Sequence, residues 1–311
     1  MSAWRERLGR NKLLVLDGAW GTLLSERGLG AGEPPEAWNL KRGADVRAVA
    51  AAYAEAGADI VLTNTFGGSR FKLEKSGLDG RLAEINREGA RHSLEGVAGR
   101  SLVFGSVGPT GEFMAPVGSV GEAEMTHCFA EQIKALAGAG VHGIVIETMT
   151  GLDEAKAALR AAKASCDLPV AVTMTFDRGH AWYATMMGVH PAQAADELTA
   201  DGADIVGANC GAGIDDMIRI IQLMRSATHV PLWAKPNAGM PRLVEGRTVY
   251  AETPEDMVGK MPSLAEAGAH HIGGCCGTSP RHTQFFKMCA DHLRRTALGC
   301  VEAAPALRRL A

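Results

Sequence analysis

Short runs of consecutive apolar residues alternate along this chain with longer, Ala-rich segments whose apolar positions recur at helical spacing. The strand-like runs are LLVLDG (13–18), DIVLTN (59–64), SLVFGSVG (101–108), GIVIET (143–148), PVAVTMTF (169–176), DIVGANC (204–210), PLWAKPN (231–237) and HHIGGCC (270–276). They are nearly continuous in Val, Ile and Leu, which predicts parallel strands covered on both faces. Helices are predicted over 45–56, 81–96, 121–138, 152–166, 191–201, 214–226, 254–267 and 280–294. Asp215, Thr253-Pro254 and Thr278-Ser279-Pro280 mark helix starts. Four helices run into the next strand through Gly57-Ala58-Asp59, Gly140-Val141-His142, Gly202-Ala203-Asp204 and Gly268-Ala269-His270, where a glycine suits a left-handed C-cap.

Eight β/α alternations predict one (β/α)8 TIM barrel, a single domain over 1–311 with its core at about 11–294. An open doubly wound sheet is the alternative. The two longest strand-to-helix stretches, 17–44 and 105–120, follow strand C-termini and would frame the active-site face of a barrel. A net charge of −3 gives no reason to expect nucleic acid or a membrane surface as partner. No apolar run approaches the ~20 residues of a bilayer span. The first residues, MSAWRERLGRNK, lack a signal-peptide core, so a cytoplasmic enzyme is expected.

Seven cysteines without a secretion signal argue against a disulfide framework. Cys128, Cys166, Cys289 and Cys300 share no spacing and read as ordinary apolar or surface residues. Cys210 and the doublet Cys275-Cys276 differ, because each ends a strand-like run. In a barrel those ends meet at one mouth, and three thiolates suffice to hold zinc with one position open. Neighbours on a regular strand point to opposite faces, so Gly273, Gly274 and Gly277 would have to break that alternation for both thiols to reach one ion. The other reading is a pair of buried cysteines without a metal. His270 and His271 are taken as structural. Asp17, Asn64, Glu147, Asn209 and Asn237 also fall at strand ends. Asp17, Asn64 and Asn237 each have a turn or cap reading, whereas Glu147 at the end of an apolar strand calls for a cationic partner.

DGAWGT (17–22), NTF (64–66), Glu147-Thr148, GANCG (207–211), PNAGMP (236–241) and GGCCGTSPRHT (273–283) resemble the homocysteine S-methyltransferase family. That family includes the homocysteine-binding module of cobalamin-dependent methionine synthase and the betaine–homocysteine methyltransferases. Residues 107–111 and 236–239 lean toward the methionine-synthase branch. The resemblance implies a Zn2+-bearing barrel with Cys210, Cys275 and Cys276 as ligands. Asp17, Gly18, Gly21 and Thr22 would lie in the loop whose backbone N–H groups hold the homocysteine carboxylate. Glu147, assisted by Asp17, would bind the ammonium group, and Asn209 would contact the metal or support its shell.

The implied reaction is methionine formation by attack of a zinc-bound thiolate on a methyl donor. No Asp-x-His-x-x-Gly corrinoid motif and no Gly-x-Gly motif after a strand occur. Methyl would then come from a small molecule or a separate protein; Trp38, placed similarly to a cage tryptophan of betaine-using relatives, implies a small betaine-like donor, with Trp20 and Phe66 in mouth loops also offering cation–π contact. Packing of a long loop is the alternative role for Trp38. The second donor reading is a separate corrinoid protein, which makes the chain the homocysteine-activating subunit of a split methionine synthase. S-methylmethionine is the third. A zinc hydrolase or lyase would use histidine or carboxylate ligands and a general base, which the three cysteines argue against. A non-enzymatic thiol-binding module would bind homocysteine without turning it over.

Overall fold

The computed structural model describes residues 13–297 apart from 181, 212, 245 and 246. Cys300 and the tail 302–311 lie outside the described residues. Each predicted run overlaps one strand: β1 Leu14–Val15, β2 Ile60–Leu62, β3 Leu102–Val107, β4 Gly143–Met149, β5 Val170–Met174, β6 Ile205–Asn209, β7 Leu232–Lys235 and β8 Ala269–Ile272. They form one sheet in the order β1-β8-β7-β6-β5-β4-β3-β2, and every pairing is parallel. The two ends of that order meet. Leu16 bridges Ile60 in parallel, and the Asp17 N–H donates to the Ile60 carbonyl at 3.1 Å. This closure makes a barrel and removes the open doubly wound alternative.

Each barrel strand is followed by a long helix: α1 Gly43–Glu55, α2 Leu82–Val97, α3 Glu122–Gly138, α4 Leu152–Ser165, α5 Pro191–Ala200, α6 Ile214–Arg225, α7 Pro254–Glu266 and α8 Pro280–Ala297. Gly57, Gly140, Gly202 and Gly268 all have φ between 88° and 111°, the left-handed caps expected at those steps. Thr253 and Asp256 form a reciprocal capping box at the start of α7. No helix among the described residues is long and apolar enough to cross a membrane.

Strand alternation divides the apolar residues into two cores. Val15, Val61, Val103, Ile144, Val172 and Val206 belong to the cluster packed against the helices. Their neighbours Leu14, Leu16, Ile60, Leu62, Phe104 and Trp233 belong to a separate cluster that fills the barrel. A step of two residues toward the C-terminal end changes the interior lining from apolar to polar. Phe104 gives way to Ser106, Val145 to Glu147, Ala171 to Thr173 and Trp233 to Lys235, all buried. That step sets the floor of the mouth.

The loops carry structure that the periodicity did not reveal. Short helices occupy Trp20–Glu26, Trp38–Lys41 and Arg70–Glu74. Two antiparallel ribbons, Asp177–Arg178 with Tyr183–Ala184 and Arg242–Val244 with Arg247–Val249, rise from the mouth after β5 and β7.

Candidate metal centre and substrate cavity

Cys275 and Cys276 do not lie on a strand, because β8 ends at Ile272. They sit in a turn closed by the Thr278 N–H and hydroxyl, which both donate to the Cys275 carbonyl. The turn is tied to the end of β7 by Cys275 N to Pro236 O at 2.8 Å and Cys276 N to Asn237 Oδ1 at 3.1 Å. Gly277 has φ of 81°, and a Cβ there would lie 2.3 Å from the Tyr250 ring. A side chain at 277 is therefore excluded twice, by conformation and by space.

Cys210 follows β6 with φ of 61°, a left-handed conformation uncommon outside glycine. Its N–H donates to the Lys235 carbonyl at 3.0 Å. The preceding Asn209 is held from three sides. Its Oδ1 accepts from Thr148 N at 2.8 Å and Thr173 Oγ1 at 2.6 Å, and its Nδ2 donates to Thr148 Oγ1 at 2.7 Å. Thr148 itself has φ of 64°. Two strained residues locked through one buried amide are the kind of arrangement found at functional sites.

The three thiols converge, with all Sγ atoms within 4.8 Å of one another. Tetrahedral Zn–S bonds of about 2.3 Å require S···S separations of about 3.8 Å, and Cys210 Sγ to Cys276 Sγ is 3.8 Å. The group could hold a metal ion. Among the described residues, Cys128, Cys166 and Cys289 are free and take no part in this cluster. Without a metal, hydrogen bonding to Cys210 pushes the Cys275 thiol up to about 12. Cys276 is pushed up to about 11, with the Cys210 contact opposing the Cys275 contact and burial. Crowded thiols resist joint ionisation, and a bound cation would favour their thiolate forms. Asn209 Nδ2 lies 3.9 Å from Cys275 Sγ, and the Tyr250 phenol hydrogen-bonds Cys276.

A cavity of about 620 Å3 opens over the cluster, within the range of small-molecule sites. Glu147, Ser106 and Lys235 line it together with the three cysteines. Glu147 Oε1 accepts from Ser106 Oγ at 2.5 Å. Burial raises the Glu147 carboxyl above its ordinary range, opposed by Lys235 and Ser106. Lys235 donates to Asp17 Oδ1 at 2.6 Å, and both side chains are buried. Burial alone disfavours the ammonium, but Asp17, Glu147 and Cys275 together outweigh it and hold Lys235 above the ordinary lysine range. Asp17 Oδ2 also accepts from Leu62 N and Trp20 Nε1.

Gly18, Gly21, Thr22, Trp20 and Phe66 line the same cavity. Glu36 pins the Phe66 loop by accepting from Gly67 N at 2.6 Å. Trp38 goes elsewhere. It is 1 % exposed, packs in the outer core under the Arg42 guanidinium, and is not a lining residue of the cavity. Of the three aromatic side chains offered for the donor, Trp20 and Phe66 line the cavity, while Trp38, following the 3-10 turn Pro35–Ala37, fills the packing role given as its alternative. Sequence reading overlooked Lys235, Ser106 and Tyr250. A charge two positions beyond the inward Trp233 was the available signal for Lys235.

The homocysteine S-methyltransferase family model matches residues 14–289. This chain belongs to that family. It is 26% identical over 302 residues to the methionine synthase of Mycobacterium tuberculosis, covering 91% of this chain and 25% of that protein. It is 27% identical over 289 residues to the methionine synthase of Mycobacterium leprae, covering 87% and 24%. The chain therefore spans about a quarter of the length of these relatives. Among solved structures, the metallated form of the homocysteine methyltransferase MmuM from Escherichia coli has the same fold. Its TM-score is 0.76 at 21% identity, over 91% of this chain and 98% of that one. Methyl transfer is the chemistry of the family, and the family's barrel is the one observed.

Proposed function

We propose that the chain transfers a methyl group to the sulfur of homocysteine, forming methionine, with Zn2+ held by Cys210, Cys275 and Cys276. The observation that carries this reading is the convergence of three thiols on the floor of a cavity that also presents a buried carboxylate and a buried ammonium. When bound, Zn2+ supplies a Lewis acid that keeps a coordinating thiol deprotonated at neutral pH. Cys210, Cys275 and Cys276 as thiolates would outweigh the charge of the metal they held, so that the substrate sulfur would keep the electron density that a nucleophile needs. Asn209 and Tyr250 hold Cys275 and Cys276 in place. Glu147 takes the homocysteine ammonium, and the backbone of the Gly18–Thr22 loop faces its carboxylate. The methyl group passes in line from donor to sulfur, and the donor leaves with the bonding pair.

Trp20 and Phe66 remain as aromatic surfaces for a betaine-like donor, worth ~0.5–2 kcal/mol per ring for a desolvated cation. One observation favours the second reading, a separate methyl-corrinoid protein. Of the ten exposed large apolar side chains among the described residues, nine lie on loops after strand C-termini, including Phe113, Val117, Trp182, Met186 and Leu243. An apolar rim of that kind around an active-site mouth suits a docking protein. Methionine formation from homocysteine is measured with betaine, S-methylmethionine or a methylated corrinoid protein as the sole donor. Turnover with betaine supports the first reading, and turnover with the corrinoid protein alone supports the second. The absence of methionine with every donor contradicts both.

A further inference from the structure

Cys210, Cys275 and Cys276 set a problem of selectivity. All three are half-buried, and all three line the cavity that a methyl donor would enter. A thiolate is a nucleophile whether it belongs to substrate or protein. Each protein sulfur can therefore compete for the methyl group, and burial does not shield it. Methylation of a cysteine would replace an anionic ligand with a neutral thioether.

The protein sulfurs differ from an incoming one in the hydrogen bonds they accept. Cys276 accepts from the Tyr250 phenol, Cys210 from the Gly211 N–H, and Cys275 has a long contact from Asn209 Nδ2 at 3.9 Å. Contacts between the thiols themselves, such as Cys210 to Cys276, need a thiol proton and vanish once both are thiolates. The three outer donors keep their protons. None of Tyr250, Gly211 and Asn209 lines the cavity, so a sulfur arriving from that side meets none of them.

Tyr250 is seated by the chain on both sides of the ribbon it follows. After β7 the chain leaves at Ala238 and returns at Glu252, whose N–H donates to the Ala238 carbonyl at 3.0 Å. The Ala238 N–H in turn donates to the Cys276 carbonyl at 3.0 Å, which ties the base of the ribbon to the cysteine turn. The ring then lies against Gly277, where a Cβ would stand 2.3 Å from Cγ and 2.6 Å from Cδ2. Only glycine at 277 lets the phenol come this close.

We propose that Tyr250 decides which sulfur is methylated: its hydroxyl, donating to Cys276, suppresses attack by that cysteine and leaves the substrate sulfur as the nucleophile. This rests on the three-thiolate zinc reading above. A hydrogen bond to an anionic sulfur is charge-assisted and strong. The sulfur loses its negative charge as its bond to carbon forms, so the hydrogen bond weakens on the way to the transition state. Stabilising the starting thiolate more than the transition state slows the reaction. Tyr250 is thus a positioning residue that acts through Cys276.

The test follows methylation of the zinc-loaded protein by methyl iodide in the absence of homocysteine, with each cysteine read separately by peptide mass spectrometry. In this step the cysteine sulfur bonds to the methyl carbon, and iodide leaves with the pair of the broken carbon–iodine bond. Tyr250→Phe keeps the ring on Gly277 and removes only the hydroxyl. The initial rate at Cys276 should rise about 10-fold in this variant, the low end of what a hydrogen bond to a charged group is worth. Cys210 and Cys275 should keep their wild-type rates. An unchanged rate at Cys276, an equal rise at all three cysteines, or loss of zinc before the reagent is added assigns Tyr250 to the scaffold and overturns the proposal. Wild-type protein that retains no zinc after dialysis overturns the three-thiolate reading instead.

Discussion

Trp233 and Lys235 stand two positions apart on β7, face the barrel interior and are both buried, yet they belong to different chemistries. Trp233 lies in the apolar plug, its ring 6.0 Å from Phe104 and 5.8 Å from His271. Lys235 lies in an ion pair beside the thiol cluster. The lower interior tolerates unpaired polar atoms: among the described residues, Trp233 Nε1 and both nitrogens of His271 have no hydrogen-bond partner. One layer higher, Asn209, Asp17 and Glu147 are tied by short bonds, and Glu147 and Lys235 line the cavity. The lower layer supplies rigidity, and the upper layer holds a few polar groups within ångströms of one another.

The sharpest break in this comparison comes from the thiols. Single Cys210→Ser, Cys275→Ser or Cys276→Ser variants should lose zinc affinity by more than the about 10- to 100-fold typical of residues that only support a ligand. Metal analysis after dialysis and methionine formation should fall together. A variant that keeps both removes its residue from the ligand set.

Trp38→Ala tests whether this residue belongs to the packed region. Emptying a fully buried tryptophan site should cost about 3–5 kcal/mol of stability by urea denaturation. Michaelis constants for donor and homocysteine should then move together. A selective rise for the donor would return Trp38 to the mouth. Glu147→Gln should weaken homocysteine by about 1.5–3 kcal/mol while zinc stays bound, read by calorimetry and metal analysis.

The smallest expected effect belongs to the lower layer. Burial holds the His271 imidazole neutral, its pKa lowered to about 3, and His270 adds to the depression. The unfolded chain binds this proton below about 6.5, and the folded chain does not. Stability is therefore fully present above about pH 6.5 and declines by about 1.4 kcal/mol per unit as pH falls toward 3. His271→Leu should remove that slope from urea midpoints between pH 6.5 and 5. An unchanged slope would place the titration elsewhere.

The barrel was legible because its strands are buried on both faces and its helices end in glycine, signals that are local in sequence. Cys210 with Cys275 and Cys276 was legible because the ends of parallel barrel strands must meet. The doublet's presentation was less so: both thiols reach one point because the chain has left β8 at Ile272 and turned through Gly277. Lys235 escaped notice because its partner Asp17 is 218 positions away, and the two meet across the barrel interior only because β1 and β7 both flank β8. The choice between a donor and a packing role for Trp38 stayed open because no periodicity records the path of the 17–44 loop. The mouth ribbons are too short and too exposed to leave a pattern.

The central claim is a three-thiol zinc that accepts the substrate sulfur as its fourth ligand. X-ray absorption at the zinc edge, on loaded protein with and without homocysteine, tests it directly. The account predicts three sulfur neighbours from Cys210, Cys275 and Cys276 in the free protein, at about 2.3 Å, and a fourth sulfur at that distance once homocysteine is added. A sulfur count that does not rise on saturation with homocysteine would contradict it.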